Sequence, residues 1–416
     1  MKGKPGQPVT DRNHRQDRQV RRRRVFYIPG YDPFPARRYR ELYRTEAARQ
    51  GRISGYLVKI VPRRRSGNYS WRVRARIGGA ECETEFEVLE WADLVRHSMK
   101  RSIPATYGML LRTALVYLRS GALRALMGLR KGPVIAAAYP VVMLTAQLLV
   151  ALALAAGAGG WAGRQVSPWL GWPLAVVLLV LLLRGFRRLD RHLYAHYLMH
   201  DYAWSAARSG AWPSAMEERI AAFAADISEA LGVADVDEVL VVGHSSGAHV
   251  AVSAVARLVR GGGVPADGPA LSLLTLGHVV PMVSFLPRAH GLRRDLHDLS
   301  RVADLFWLDV TAPGDGCCFA LCDPVAVTGV APPDKRWPLV ISAAFTQTIE
   351  PARWRRLRWR FFRLHFQYLC AFDRPGAYDY FRITAGPRTL AARFGGRAPS
   401  KSRIAVPASP HREMAP

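Results

Sequence analysis

Residues 239–252 read VLVVGHSSGAHVAV, an apolar run that breaks at Gly243-His244-Ser245-Ser246-Gly247 and resumes as a stretch of small residues. A serine with glycine two residues to either side, between a strand pattern and a helix pattern, is suited to present its hydroxyl as a nucleophile. The glycines remove Cβ atoms that would clash at so cramped a turn, and the hydroxyl is pushed out of the sheet edge. A helix starting just behind Ser245 would aim its N-terminal dipole and the backbone N–H of Ser246 at the oxygen of an attacked carbonyl. The pentapeptide alone is a weak signal, so its context matters. Leu240, Val241 and Val242 form a buried-strand run, and Ala248, Val250, Ala251, Val252, Ala254 and Val255 continue as a closely packed helix. The plain alternative is a tight strand-to-helix turn with a capping serine.

A serine hydroxyl is a poor nucleophile at neutral pH; a base must take its proton and an acid must orient that base. In a layered α/β sheet such groups come from loops at the carboxyl edge of the strands. The elements that would hold them can be read along the chain. Val25-Phe26-Tyr27-Ile28 is a short strand running into the turn Pro29-Gly30-Tyr31-Asp32-Pro33, after which 36–50 departs as a charged helix. Residues 214–231 read as a helix opened by a Ser214/Glu217 capping box, with Met216, Ile220, Phe223, Ile227 and Leu231 on one stripe. Further apolar runs at 271–276, 305–310 and 339–345 complete a strand, helix, strand alternation. The fold class expected is α/β with a mostly parallel sheet.

On these residues the chain resembles the α/β-hydrolases, a superfamily of serine esterases, lipases and thioesterases. The resemblance covers the segments 25–31 and about 214–381 and is specific only at Ser245. It implies the order oxyanion strand, serine elbow, acid, histidine. Asp315, in the turn after the 305–310 strand, is then the acid; Asp323 is its rival and Asp309, inside the strand, a weaker third. Asp315 is also open to a plain turn role. His365 is the general base, as the only histidine between the last strand and the tail's His411, although 351–372 has helical spacing where a loop is expected. His278, His290 and His297 precede the acid and fit the order poorly. The oxyanion donors would be the N–H of Ser246 and the backbone near Gly30 and Tyr31. Expected activity is hydrolysis of an acyl ester or thioester, with acyl transfer by the same residues left open, and no cofactor or metal.

Between the first strand and the elbow lies a long stretch, read as an insertion. If Gly78-Gly79 make a two-residue turn, Arg76 faces Glu81, Arg74 faces Glu83, Arg72 faces Glu85 and Trp71 faces Phe86, all complementary pairs. These arginines are accordingly structural. Helical segments over 91–130 follow, interrupted at Pro104. Residues 132–163 carry no charge, with the densest apolar part at 134–156, and 165–183 is a second uncharged stretch ending AVVLLVLLL. Both are long enough to cross a bilayer as a helical hairpin. Arg124, Arg130 and Lys131 precede it and Arg184, Arg187, Arg188 and Arg191 follow it, which places both flanks, both termini and the soluble body in the cytoplasm. After it, 186–209 reads as one polar-aromatic helix.

The 416 residues carry a formal net charge of +27, so an anionic partner is expected. Two uncharged spans favour membrane lipids over nucleic acid, for which no recognition module accompanies Arg21–Arg24; oligomeric state is open. The five cysteines match no zinc spacing and read as reduced structural thiols. His192, His196 and His200 lie a turn apart on one helix face, but lack the further paired histidines a di-iron site needs. The expected organisation is a basic disordered arm (1–24), a first core strand with inserted hairpin and helices (25–131), a transmembrane hairpin (132–184), the main core (185–390) and a disordered tail (391–416). An idle serine on a lipid-binding scaffold is the competing reading.

Overall fold

In a computed structural model of the chain, residues 19–61, 67–265 and 267–415 are described. The strands β1 (Arg22–Ile28), β2 (Leu57–Val61), β3 (Ser70–Ile77), β4 (Ala80–Val88), β5 (Glu238–His244), β6 (Ala270–Leu276), β7 (Leu305–Thr311) and β8 (Leu339–Ser342) form one eight-stranded sheet in the order β2-β3-β4-β1-β5-β6-β7-β8. Only β3 runs against the rest. The central strands β5 and β7 are buried at every position, as a parallel sheet covered on both faces requires. One core lies between the sheet and Tyr39, Tyr43, Phe372 and Phe381; the other lies between the sheet and the helices Ser214–Leu231, Gly247–Arg260 and His290–Leu299.

The charged hairpin has the register expected, with Trp71 opposite Phe86, Arg72 opposite Glu85, Arg74 opposite Glu83 and Arg76 opposite Glu81. Trp71 stacks on Phe86 with ring centroids 5.0 Å apart. It is not an appendage, however. β4 pairs in parallel with β1, so the segment read as an insertion supplies one flank of the core sheet. Its apolar face, including the buried Trp71, Val73, Ala75 and Phe86, needs the same helix cover as the rest of that side.

Both chain ends of the described region are also more structured than their composition suggests. Of the arm, residues 1–18 lie outside the described residues, while Arg22, Arg23 and Arg24 belong to β1. Arg23 is fully buried: Nε meets Glu238 at 2.6 Å, and the remaining nitrogens donate to the carbonyls of Gly386 and Arg388. The tail read as disordered is tied down by backbone pairing, with Ile404 N–H donating to Leu321 O at 2.7 Å and Asp323 N–H to Ile404 O at 2.8 Å. Arg293 Nε caps Glu413 O at 2.6 Å. Low local hydrophobicity did not prevent order where neighbours offered partners for the main chain.

Three helix expectations need correction. The Ser214/Glu217 capping box does not form, because the helix begins one residue earlier than a serine cap needs; Pro213 is the N-cap and its carbonyl accepts from Met216 and Glu217. The 186–209 helix is broken at Tyr194, whose φ of 56° is left-handed, between Pro168–Leu193 and Ala195–Ala206. The 351–372 helix is broken into Pro351–Leu357, Phe361–His365 and a 3-10 turn Phe366–Leu369.

The helices Lys131–Gln165 and Pro168–Leu193 form an antiparallel pair, each long and apolar enough to cross a membrane. At about 1.5 Å per residue they exceed a bilayer's hydrocarbon core of about 30 Å. They touch through glycine: a Cβ on Gly159 would lie 2.6 Å from Gly171 O, and one on Gly171 the same distance from Gly159 O. Outward they expose large apolar side chains, among them Val142 at 66%, Trp169 at 89% and Trp172 at 81%. An exposed apolar surface of this extent marks a protein or membrane contact.

Candidate active site

β5 ends at His244 and the next helix starts at Gly247, leaving Ser245 and Ser246 to make the turn. Ser245 has φ of 59°, a conformation costly for any residue with a Cβ. The flanking glycines permit it. A Cβ on Gly247 would fall 2.2 Å from Ile28 O and 2.5 Å from Pro29 O, and one on Gly243 would fall 2.7 Å from Ala248 Cα. The Ser245 N–H is held by Leu276 O at 2.9 Å, which fixes the turn to the end of β6.

His365 stands across from this turn because the helix read as continuous breaks on both sides of it. Its Nδ1–H donates to Asp315 Oδ2 at 2.7 Å, and both side chains are buried. Asp315 follows β7 in the expected turn. Its other oxygen accepts from Cys317 N–H at 2.9 Å, and Oδ2 also accepts from Tyr368 Oη at 3.1 Å, whose own oxygen is held by Ala312 N–H. Burial pushes the Asp315 carboxyl up, but the neighbouring His365 charge and these hydrogen bonds outweigh it, so its pKa falls below the usual value. Asp315 is therefore an ionised carboxylate able to fix the tautomer of His365 and leave Nε2 as the acceptor.

The other acids are engaged elsewhere. Asp323 caps the helix Pro324–Thr328 and pairs with Lys335 Nζ at 2.7 Å. Asp309 accepts from Thr275 Oγ1 at 2.6 Å, and burial raises its pKa well above the ordinary value. Among the histidines, His278 donates to Cys322 O, while His290 and His297 bond to Glu413 O and Val330 O. Asp315, Cys317 and His365 bring ligand-type atoms within 4.8 Å of one another. The Cys317 thiol is pushed well up by burial and by Asp315.

Ser245, His365, Gly30 and Tyr31 all line one cavity of about 1310 Å³. Gly30 approaches closely, its would-be Cβ lying 3.0 Å from Ser245 Cβ. The Ser245 hydroxyl and His365 ring share this cavity without a hydrogen bond between them among the described residues; in unliganded enzymes this contact is often long and tightens on binding. Of the expected oxyanion donors, the Tyr31 N–H donates to Ser246 Oγ at 2.7 Å, and Ser246 stands at the N-cap of the helix Gly247–Arg260. Tyr197 fixes this loop by donating to Tyr31 O.

Several contributors were not foreseen. His244, next to the serine, donates through Nε2 to His365 O at 3.0 Å, and burial, aided by the His365 charge, pushes its pKa down to about 3. Asp201, from the helix Ala195–Ala206, lines the cavity with its carboxyl raised to about 7 by burial, partly offset by the His365 charge. No pattern in the sequence singled out either, since their roles depend on which elements meet. The apolar hairpin starts at this same edge: a Cβ on Gly132 would lie 3.2 Å from Gly316 O, and Arg130 Nε donates to Ala320 O at 2.8 Å. Asp190, Arg191 and Tyr194, at the hairpin's other end, line the cavity.

Comparison with family models, with curated proteins and with solved structures finds no match to this chain.

Proposed function

We propose that the protein is a membrane-anchored serine hydrolase of α/β-hydrolase type acting on an acyl ester. The observation that carries the reading is the buried 2.7 Å His365–Asp315 pair opening on the cavity that contains Ser245 at a left-handed strand-to-helix turn. In this reading Ser245 Oγ attacks the acyl carbonyl carbon as His365 Nε2 takes its proton. Asp315 stabilises the resulting imidazolium, and the Ser246 N–H bonds the carbonyl oxygen as it gains charge. His365 returns the proton to the leaving oxygen; water, activated by the same ring, then frees the acyl group and restores Ser245.

The two apolar helices are read as a membrane hairpin, supported by their exposed apolar faces and by the basic residues at both outer ends. Because the hairpin is antiparallel, its ends lie on one side, which the positive charge assigns to the cytoplasm. The partners are then membrane lipids. One observation favours a catalytically silent lipid-binding scaffold instead: Ser246 Oγ occupies the Tyr31 N–H, so one expected oxyanion donor is satisfied internally.

Fluorophosphonate labelling of the detergent-solubilised full chain separates these readings. The hydrolase reading expects labelling of the wild type that is lost in Ser245→Ala and reduced at least 100-fold in His365→Ala, the low end of what an acid–base group contributes. A folded wild type that does not label would establish the scaffold instead.

A further inference from the structure

The cavity around Ser245 is lined by many arginines, and they fall into two groups. Arg38 pairs with Asp32, and both Arg49 and Arg353 pair with Asp373, so these serve the fold. Arg191, Arg356, Arg360 and Arg363 line the same cavity and have no carboxylate partner among the described residues. The acids that share the lining are committed elsewhere. Asp190 accepts from the His196 and Tyr197 N–H groups, Glu46 from Ala371 N–H, and Glu41 pairs with Arg40 and Arg44. Asp201 is held neutral up to about pH 7 by burial. Among the described residues, none of the carboxylates in this lining makes an ion pair with these four guanidinium groups, which leaves their hydrogen-bonding edges open to a ligand.

The segment that carries Arg356, Arg360 and Arg363 is also aromatic, and its Phe362 lines the cavity. Trp359, Phe361 and Phe362 are exposed to 71%, 49% and 37%, interleaved with Arg358, Arg360 and Arg363. Phe362 packs on Tyr194, ring centroids 5.2 Å apart, immediately after the second apolar helix ends at Leu193. The segment 358–363 therefore lies beside the end of that helix, past the basic residues Arg184, Arg187, Arg188 and Arg191 that follow the apolar stretch 165–183. Aromatic rings with arginine at that level are what a headgroup layer favours, and bidentate guanidinium groups match phosphate oxygens. At about 1310 Å³ the cavity exceeds the usual range for small ligands, and Leu42, Leu198, Leu357 and Phe366 supply apolar wall for an acyl chain.

Resting on the hydrolase reading above, we infer that the substrate is a membrane lipid ester with a phosphate-bearing anionic headgroup, held by Arg191, Arg356, Arg360 and Arg363 with its acyl carbonyl at Ser245. The four arginines select the headgroup, and the aromatic segment of Trp359, Phe361 and Phe362 lets the lipid pass from the bilayer without crossing water.

Binding is measured with the full chain carrying Ser245→Ala in nonionic detergent, so that no turnover intervenes. Dioctanoyl phosphatidate and dioctanoyl phosphatidylcholine are titrated by calorimetry, with inorganic phosphate as competitor. Expected is at least tenfold tighter binding of phosphatidate, a ratio that collapses in the triple variant Arg356→Gln, Arg360→Gln, Arg363→Gln with an unchanged melting temperature. Equal affinity for the two lipids, or a ratio retained in the triple variant, overturns the proposal. Displacement of phosphatidate by millimolar inorganic phosphate also overturns it, since the site would then recognise a free phosphate compound. Loss of headgroup selectivity alongside intact fluorophosphonate labelling of the wild type would remove only this inference; selectivity without labelling would remove the hydrolase reading and, with it, the lipid's role as substrate, leaving an anionic-lipid binding site.

Discussion

At the residue scale, Asp315 and Asp201 are shifted in opposite directions, Asp315 below its usual pKa by the His365 charge and hydrogen bonds and Asp201 up to about 7 by burial. Both carboxyls are near His365, yet one is held by three donors and the other by none among the described residues. Asp315→Asn should reverse the tautomer preference of His365 and slow fluorophosphonate labelling by on the order of 10⁴-fold, as expected when a triad acid loses its charge while the geometry is kept. Asp201 makes a prediction about stability. Its folded pKa of about 7 lies above the unfolded value of about 3.9. Between these values the folded state holds a proton the unfolded state has released, so this group's contribution to stability falls as pH rises from about 4 to about 7 and then levels. Denaturation of wild type and Asp201→Asn across that range should show the variant gaining on the wild type with rising pH; a constant difference would mean that Asp201 does not titrate there.

At the scale of elements, the strand-to-helix turn and the first strand are where single side chains decide the fold. Gly247 leaves no room for a methyl group, because the carbonyls of Ile28 and Pro29 are backbone and cannot swing away. Gly247→Ala should destabilise the protein by about 3 kcal/mol, at the upper end of overpacking costs, as read by chemical denaturation in detergent. Arg23 and Arg22 are neighbours in β1 with opposite expectations. Removing Arg23 strands the buried Glu238, so Arg23→Ala should cost about 3–5 kcal/mol. Arg22 pairs with Asp235 in solvent, and Arg22→Ala should cost less than about 1 kcal/mol. Similar losses for the two would show that the buried pair does not hold β1 to β5.

At the scale of the whole molecule, the hairpin and the site form one unit. The first apolar helix begins against the turn that carries Asp315, and the second delivers Tyr194 and Arg191 to the cavity. In the proposed reading, a membrane hairpin at this place would fix the distance between Ser245 and the bilayer surface, as a lipid substrate would require. Membranes containing the full chain should retain it through an alkaline carbonate wash and release it only to detergent; release by the wash would make the hairpin a peripheral contact. The Gly159–Gly171 approach allows the two helices to touch closely, in the way small residues do in membranes.

How much of this was legible in the sequence follows from the range of the forces involved. The elbow at Ser245, the register of the charged hairpin and the two apolar spans are local patterns, set by glycine sterics, strand alternation and hydrophobic length, and all three recur in the structure. Chain order and turn position placed Asp315 and His365 on the same short list, but only the fold brings them to 2.7 Å. The break that frees His365 from a continuous helix had no clear local signal, since the spacing of Trp354, Leu357, Phe361, Leu364 and Tyr368 is helical throughout. Nor could composition show that Arg23 is buried or that the tail is ordered. An arginine beside three others looks solvated until its carboxylate arrives from residue 238, and a polar tail looks loose until distant carbonyls and N–H groups complete its backbone bonds. What the sequence by itself determined is the local geometry that exposes a serine and the apolar length that suits a bilayer. Tertiary structure decided which charges are paired, because ion pairs and buried hydrogen bonds join residues far apart in the chain.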